Sequence, residues 1–195
     1  MIARSVALSE QESLAVEAIW QHCLAGGTAG PYGTTLADAG SAMSATGQPP
    51  ERLWPYDASL GSGTVAVSPG VATSEFRTAS IISVPLLHDG MEDPVEQALG
   101  LGLAVALVVE VTDEFDDASS GDISVPPVTA PLGDYHAVLA VGAATNTNST
   151  SRRVLVRNSW GAGWGVNGHA WLPYDYMVAH AVDAAVVDPA SLGRR

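Results

Sequence analysis

Two short segments of the sequence combine residue types that can move a proton. His136 opens the apolar run Ala137–Val141, and an imidazole at the start of a strand can serve as an acid or a base. Asn158 ends a second apolar run. Its neutral amide can hydrogen-bond a ring nitrogen and orient the imidazole without trapping its proton. Trp160 lies close behind, where an indole can keep water from that bond.

Glycines recur through the eight residues after Trp160. The glycines allow tight turns beneath the two indoles of Trp160 and Trp164; they are Gly161, Gly163, Gly165 and Gly168. Taken singly, each of these residues also has a purely structural interpretation. His136 can be a hydrogen-bonded histidine at a strand end, and the Trp/Gly run can be a packed turn.

Taken together, the two segments resemble the papain-like cysteine peptidases. The His136-Ala137-Val138 strand is similar to the strand that carries the family's base. The unbroken run from Asn158 to Gly168 is similar to its Asn-Ser-Trp-Gly-x-x-Trp-Gly-x-x-Gly motif. The resemblance implies that His136 is the general base, that Asn158 orients it and that Trp160 shields the pair. It also implies substrate-binding positions, at Gly26, Gly27, Tyr135 and Trp164.

The resemblance extends along most of the chain in the correct order. Leu8-Ser9-Glu10-Gln11 is similar to the start of a family helix, and residues 50–57 to its Trp-Pro-Tyr connection. Residues 171–176 are similar to the ending of bacterial members. It implies an α+β, papain-like two-lobe fold. We expect an incomplete helical N-terminal lobe over residues 1–60 and a β-barrel-like, strand-rich lobe over residues 61–195.

The nucleophile that the resemblance implies has no counterpart at the expected place. The family's cysteine precedes its histidine by about 130 residues, and no cysteine lies near residue 6. We therefore expect the thiol, the oxyanion glutamine and the central helix to lie upstream of Met1 or to be absent. Cys23 is the single cysteine and falls late in a predicted helix, where the negative end of the dipole disfavours a thiolate.

Three functions remain open on these residues. The first is a non-catalytic papain-like module that binds a peptide or a protein. The second is one half of a split cysteine peptidase whose cysteine-bearing helix is on another chain or fragment. The third is acid–base chemistry by His136 on a different substrate. Loss of the central helix would expose apolar surface, so we expect a second chain or self-association to fill that place.

Charge and composition narrow the partners further. The net charge is −13, and all eight basic residues are arginine. Such a chain repels phosphate, so we expect neither nucleic acid nor a membrane as a partner. The acidic residues 113–122 lack calcium-loop spacing and a single cysteine cannot build a thiolate zinc site, so we expect no metal and no cofactor. With neither a secretory signal nor a long apolar run, the expected location is cytoplasmic.

The elements that must position these residues follow from local patterns. A capping box at Ser9–Glu12 predicts a helix to Leu24, and a second helix is predicted over Thr34–Ala45. Further along, a helix is predicted over Asp93–Leu101 and a loop over Asp113–Val128. Apolar β-branched runs predict strands, at Val65–Val67, Ala79–Val84, Ala104–Val111, His136–Val141, Val154–Arg157, Ala170–Leu172 and Ala184–Val187.

Overall fold

A computed structural model describes residues 12–31, 33–60, 69–86, 92–127, 133–145 and 151–194. The chain divides into two compact units. The first comprises Met1–Ile82 together with Val187–Arg195, and the second comprises Ser83–Val186. The first unit contains helices and short antiparallel strand pairs, and the second is built on a sheet, so the predicted α+β class is confirmed. The boundary that we expect after residue 60, between the two lobes, stays a prediction.

Two helices and two small antiparallel pairs make up the first unit. The helices are α1 (Val16–Ala25) and α2 (Leu36–Ala45). The pairs are β1 (Ala29–Gly30) with β2 (Gly33–Thr34), and β3 (Arg77–Thr78) with β10 (Gly193–Arg194). Single 3₁₀ turns lie at Glu51–Leu53, Ala58–Leu60, Thr73–Glu75 and Pro189–Ser191. The buried apolar cluster of this unit consists of Ala15, Ala18, Trp54 and Phe76.

The first helix starts later than its capping box predicts. It begins at Val16, and positions 9–11 lie outside the described residues. Leu14 forms a β-bridge with Pro50. The amide of Ala15 donates to the carbonyl of Pro49 at 2.9 Å. The helical prediction for residues 12–15 is therefore wrong, because this stretch pairs its backbone with the 48–51 segment. The second predicted helix is confirmed, with the Thr35 hydroxyl capping the Asp38 amide.

The second unit alternates helices with an antiparallel sheet. Its helices are α3 (Glu92–Gly100), α4 (Asp113–Asp116) and α5 (Tyr174–His180). Its strands are β5 (Val105–Glu110), β6 (Tyr135–Thr145), β7 (Arg152–Arg157), β8 (His169–Pro173) and β9 (Ala181–Val187). A three-residue strand, β4 (Ile81–Ser83), spans the boundary between the units. The strands of this unit follow the order β9-β5-β6-β7-β8.

The sheet of the second unit is open rather than barrel-like. Among the described strands, β8 pairs only with β7, so the predicted closure into a barrel is not observed. The predicted strand at residues 65–67 and most of the loop between β6 and β7 lie outside the described residues. In the parts of the chain that are described, no helix is long and apolar enough to cross a bilayer. The same residues contain no cluster of three or more side chains suited to hold a metal ion.

Strand register places the two candidate residues on neighbouring strands. His136 is the second residue of β6 and pairs with Val109 of β5, while Asn158 follows directly after β7. Alternate residues of β5 are fully buried, as expected for a strand with one face on the core. The core beneath them includes Val105, Leu107, Val109, Val138, Val154, Val156, Leu172, Tyr176 and Met177. This packing fixes the backbone on which the candidate site is built.

Candidate active site

His136 and Asn158 form a direct side-chain hydrogen bond. The distance between His136 Nε2 and Asn158 Oδ1 is 2.8 Å. Asn158 is buried and His136 is half-buried, so the bond lies at the margin of the core of the second unit. The sequence thus placed two residues from separate strands in one pair. Their catalytic roles stay a prediction.

The backbone of Ser159 determines which ring nitrogen carries the proton. Its N–H donates to Asn158 Oδ1 at 2.7 Å, so that atom of the amide is an acceptor. His136 Nε2 must then be the donor, and the neutral imidazole is the Nε2–H tautomer. The basic lone pair therefore lies on Nδ1, which accepts no hydrogen bond from the described residues. An imidazole held in this way is prepared to take a proton at Nδ1.

Trp160 covers one face of the His136 ring. The ring centroids are 4.7 Å apart, with an interplanar angle of 34°. The indole is 45% exposed, so its outer side faces solvent. The position is the one expected for a side chain that keeps water from the imidazole–amide bond.

Phe115 is a buried part of the site that the sequence reasoning missed. The loop prediction is wrong for residues 113–116, which form α4 with Thr112 as its N-cap. The ring of Phe115 is fully buried and lies edge-on to Trp160 at 5.7 Å and to His136 at 6.5 Å. A capping threonine followed by two acidic residues and an aromatic was the available signal for this turn of helix.

Trp164 packs against the ring of Phe115. It is buried, and its indole N–H donates to the carbonyl of Phe115 at 3.0 Å. Tyr135, which directly precedes His136, is exposed. Gly26 and Gly27 lie at the C-terminal end of α1, in the first unit. Direct substrate contacts by these four residues stay predictions.

A glycine-rich turn connects Asn158 to β8. The amide of Asn158 donates to the carbonyl of Gly168 at 2.9 Å, and the amide of Gly168 donates to the carbonyl of Trp164 at 2.9 Å. These bonds fold residues 158–168 back on themselves and hold the asparagine at the end of β7. The position of the Asn158 side-chain amide therefore depends on the whole turn.

A buried polar network lies at the end of β5, near the start of the His136 strand. Tyr176, on α5, donates its hydroxyl to the carbonyl of Glu110 at 2.7 Å and lies 3.2 Å from the Thr112 hydroxyl. Burial raises the pKa of Tyr176 above its ordinary value of 10.0. The unfolded chain therefore releases this proton at a lower pH than the folded chain. The free energy of unfolding then falls as the pH rises above 10.0, whereas at lower pH the phenol stays protonated in both states and its titration does not change the stability.

Replacing Tyr176 with phenylalanine tests this linkage. We expect Tyr176→Phe to lose about 1–1.5 kcal/mol of stability at pH 7, because one hydrogen bond to a buried carbonyl disappears. The decline of stability above the ordinary tyrosine pKa should become shallower, and the absence of lysine removes the usual competing titration. Urea unfolding at neutral and alkaline pH measures both effects. Tyr56→Phe, at an exposed site, is the control; an alkaline slope unchanged by Tyr176→Phe would contradict the assignment.

Comparison with protein families gives a match over nearly the whole chain. The family described as papain family cysteine protease matches residues 2–187. A cathepsin L-like proteinase from Fasciola hepatica is 28% identical over 165 residues, covering 85% of this chain and 46% of that protein. The oryzain gamma chain from rice, Oryza sativa subsp. japonica, is 37% identical over 81 residues, covering 41% of this chain and 22% of that protein. The chain spans less than half the length of these curated relatives.

Solved structures resemble the fold at low sequence identity. Xylellain, a cysteine protease from Xylella fastidiosa, superposes with a TM-score of 0.73 at 20% identity, covering 96% of this chain and 74% of that one. The bromelain protease from Ananas comosus, solved in complex with the E64 inhibitor, gives a TM-score of 0.67 at 21% identity. That alignment covers 94% of this chain and 81% of bromelain.

Proposed function

Because the chain belongs to the papain family of cysteine proteases, we propose that it supplies the base-bearing half of a papain-type peptidase site. His136 acts as the general base and acid, Asn158 orients it, and Trp160 shields the pair. The observation that carries this proposal is the 2.8 Å bond from His136 Nε2 to an amide oxygen that Ser159 also holds. It leaves Nδ1 as the nitrogen that can exchange a proton with a thiol.

The proposal assigns the thiol to a polypeptide segment outside these 195 residues. Cys23 is the only cysteine of the sequence and is 1% exposed in α1 of the first unit. A thiol buried in this way is a poor nucleophile, because a substrate cannot reach it. The cysteine-bearing segment can precede this chain on the same polypeptide or belong to a second one.

The chemistry is then peptide-bond hydrolysis by covalent catalysis. His136 Nδ1 takes the proton of the supplied thiol, and the thiolate sulfur bonds to the substrate carbonyl carbon. The imidazolium returns the proton to the leaving nitrogen as the C–N bond breaks. Water, deprotonated by His136, next attacks the thioester, releasing the acid and restoring the thiol. Asn158 keeps the ring in place through both proton transfers.

The proposed partners are a peptide substrate and the polypeptide that carries the cysteine. A chain with a net charge of −13 favours neutral or cationic partners. The alternative is that a second copy of this chain takes the place of the cysteine-bearing segment. The size and mass of the complex distinguish these two cases.

A non-catalytic peptide-binding module is the second candidate. Tyr135 and Trp160 expose nearly half of their surface beside His136, and exposed aromatic side chains are typical anchors for a bound peptide. Such a module needs no thiol. It would bind peptides in a manner that depends on Trp160 and would hydrolyse none, whatever segment is added.

Co-expression with the segment encoded immediately upstream of residue 1 tests the proposal. We expect the chain alone to be inactive and the combination to hydrolyse a fluorogenic peptide. His136→Ala should lower kcat by about 10⁴-fold, while Cys23→Ala should leave activity unchanged. A cysteine-free upstream segment that gives binding without hydrolysis favours the non-catalytic module. Activity that survives His136→Ala, or that disappears in Cys23→Ala, overturns the assigned roles.

A further inference from the structure

Glu110 is a buried carboxylate next to the strand pair that carries His136. It is the last residue of β5 and is 5% exposed. Its β-ladder partner on β6 is Tyr135, and the preceding pair joins Val109 to His136. Burying a carboxylate is costly unless it is hydrogen-bonded, so the groups that Glu110 binds are held firmly.

The two oxygens of the Glu110 carboxylate bind two separate elements. Oε1 accepts the backbone N–H of Gly133 at 3.0 Å, three residues before His136. Oε2 lies 3.0 Å from Nδ1 of His180 at the end of α5, and since a carboxylate only accepts, Nδ1 carries the proton. His180 is 6% exposed. The carboxylate thus joins the helix behind the sheet to the segment that leads into the base strand.

The segment before His136 is held at a second point by the main chain. The amide of Val111 donates to the carbonyl of Asp134 at 2.8 Å. Gly133 has a φ of +79°, a conformation that other residues rarely adopt, and it brings its N–H to the carboxylate. Neighbouring residues 128–132 lie outside the described residues. Among the described residues, Glu110 is the one whose side chain hydrogen-bonds the amide of Gly133.

We propose that Glu110 is a positioning residue for His136. By holding Gly133, it sets the entry of β6, so that the imidazole meets the amide oxygen of Asn158 at hydrogen-bond distance. Glu110 acts through the backbone and does not touch the substrate. The role deepens the function proposed above and rests on it for the identity of the base. This role is separate from the Asn158 contact, because Glu110 acts on the backbone before His136 and Asn158 acts on the imidazole ring.

The consequence of losing Glu110 is a loosened imidazole. Without the carboxylate, Gly133 N–H and His180 Nδ1–H both lose their acceptor, and the entry of β6 can shift. A hydrogen bond weakens steeply once its length and angle depart from ideal values. His136 would then populate both tautomers instead of Nε2–H alone. In an enzyme completed by a thiol, kcat would fall by about 10²-fold with KM unchanged.

Nitrogen-15 NMR of labelled histidines in the full 195-residue chain tests the proposal without any peptidase assay. His136→Ala identifies the signals of the base. We expect the native chain to show His136 as the Nε2–H tautomer with a protected ring proton, and Glu110→Ala to show a tautomer mixture with a rapidly exchanging proton. Glu110→Gln keeps an oxygen for Gly133, and its amide nitrogen can donate to His180 Nδ1 when that imidazole takes the Nε2–H tautomer, so the native signal of His136 should be preserved. The matched control is Glu96→Ala, which removes a half-buried carboxylate paired with Arg152 elsewhere in the second unit.

The possible results separate positioning from general stability. A His136 signal unchanged in folded Glu110→Ala overturns the proposal, as does an equal loss in Glu96→Ala or in Glu110→Gln. Should Glu110→Ala fail to fold, amide exchange in the native chain decides: Gly133 N–H must be protected about as well as the amide of Val111, and fast exchange overturns the proposal. Absence of hydrolysis in the co-expression experiment contradicts the peptidase function and leaves these NMR results unaffected.

Discussion

Replacing Phe115 with alanine is expected to lower the free energy of unfolding of the second unit by about 3–5 kcal/mol. The ring is fully buried, and the substitution leaves a cavity that its stiff neighbours cannot fill. Four rings surround it at centroid distances between 5.2 and 6.5 Å; they belong to His136, Trp160, Trp164 and Tyr176. The contacts with His136 and Trp160 are edge-to-face, and such aromatic pairs contribute about 0.5–1.5 kcal/mol each beyond burial.

The same substitution should also disturb the candidate site. Phe115 backs Trp160, so its loss frees the indole that covers the imidazole, and we expect a red-shifted tryptophan emission and faster exchange of the His136 ring proton. Urea unfolding followed by fluorescence measures the stability, and Phe115→Leu should recover most of it. Phe76→Ala, in the core of the first unit, is the control that should leave the His136 signal native. A change of less than 1 kcal/mol for Phe115→Ala would show that the ring is not part of the site's support.

The pairing of His136 with Asn158 could be predicted because motif and strand pattern agreed. Each residue marks one end of an apolar β-branched run, and antiparallel neighbours bring such ends together. The family resemblance supplied the roles. The tautomer could not be predicted, because it depends on the Ser159 amide, whose direction is set by a turn that no local pattern specifies.

Two misjudged segments show where local signals are overridden by tertiary contacts. The start of α1 was placed at a good capping box, yet residues 12–15 pair with the 48–51 segment, and pairing satisfies the backbone as well as a helix does. The acidic stretch after β5 looked like a solvated loop, yet Phe115 within it is buried. A single aromatic among acidic residues has no periodicity, so its burial becomes visible only when α4 and the sheet are placed together.

Glu110 illustrates a different limit of sequence reasoning. A glutamate at the end of an apolar strand is ordinarily read as the point where the strand reaches solvent. Its burial follows from two partners distant in sequence, Gly133 and His180. Such a network leaves no short motif. The sequence could therefore predict the pairing of His136 with Asn158, and could not predict the groups that hold the start of β6 in place.

Substituting Gly165 with alanine is expected to be the most damaging small change in the turn that carries Trp160 and Trp164. A Cβ atom at this position would lie 2.2 Å from the carbonyl oxygen of His169. That oxygen accepts the Val166 amide at 2.8 Å, so the backbone cannot move away without breaking the bond. The φ of +55° adds strain for an L-residue. Together we expect a loss of at least about 3 kcal/mol.

Two other glycines of the same turn separate the clash from the backbone strain. Gly161 has a φ of +88°, but a Cβ atom there would have no neighbour within 4 Å. Gly161→Ala should therefore lower the free energy of unfolding by only about 1–2 kcal/mol. Gly163 has neither feature, and Gly163→Ala should stay within about 0.5 kcal/mol of the native chain. The backbone amide of Asn158 donates to the carbonyl of Gly168 at the other end of the turn. Gly165→Ala should therefore also weaken the His136 ring-proton signal. Urea unfolding and histidine NMR on the three variants check this order; equal damage from Gly161→Ala and Gly165→Ala would mean that conformational strain, rather than the contact with His169, makes glycine necessary.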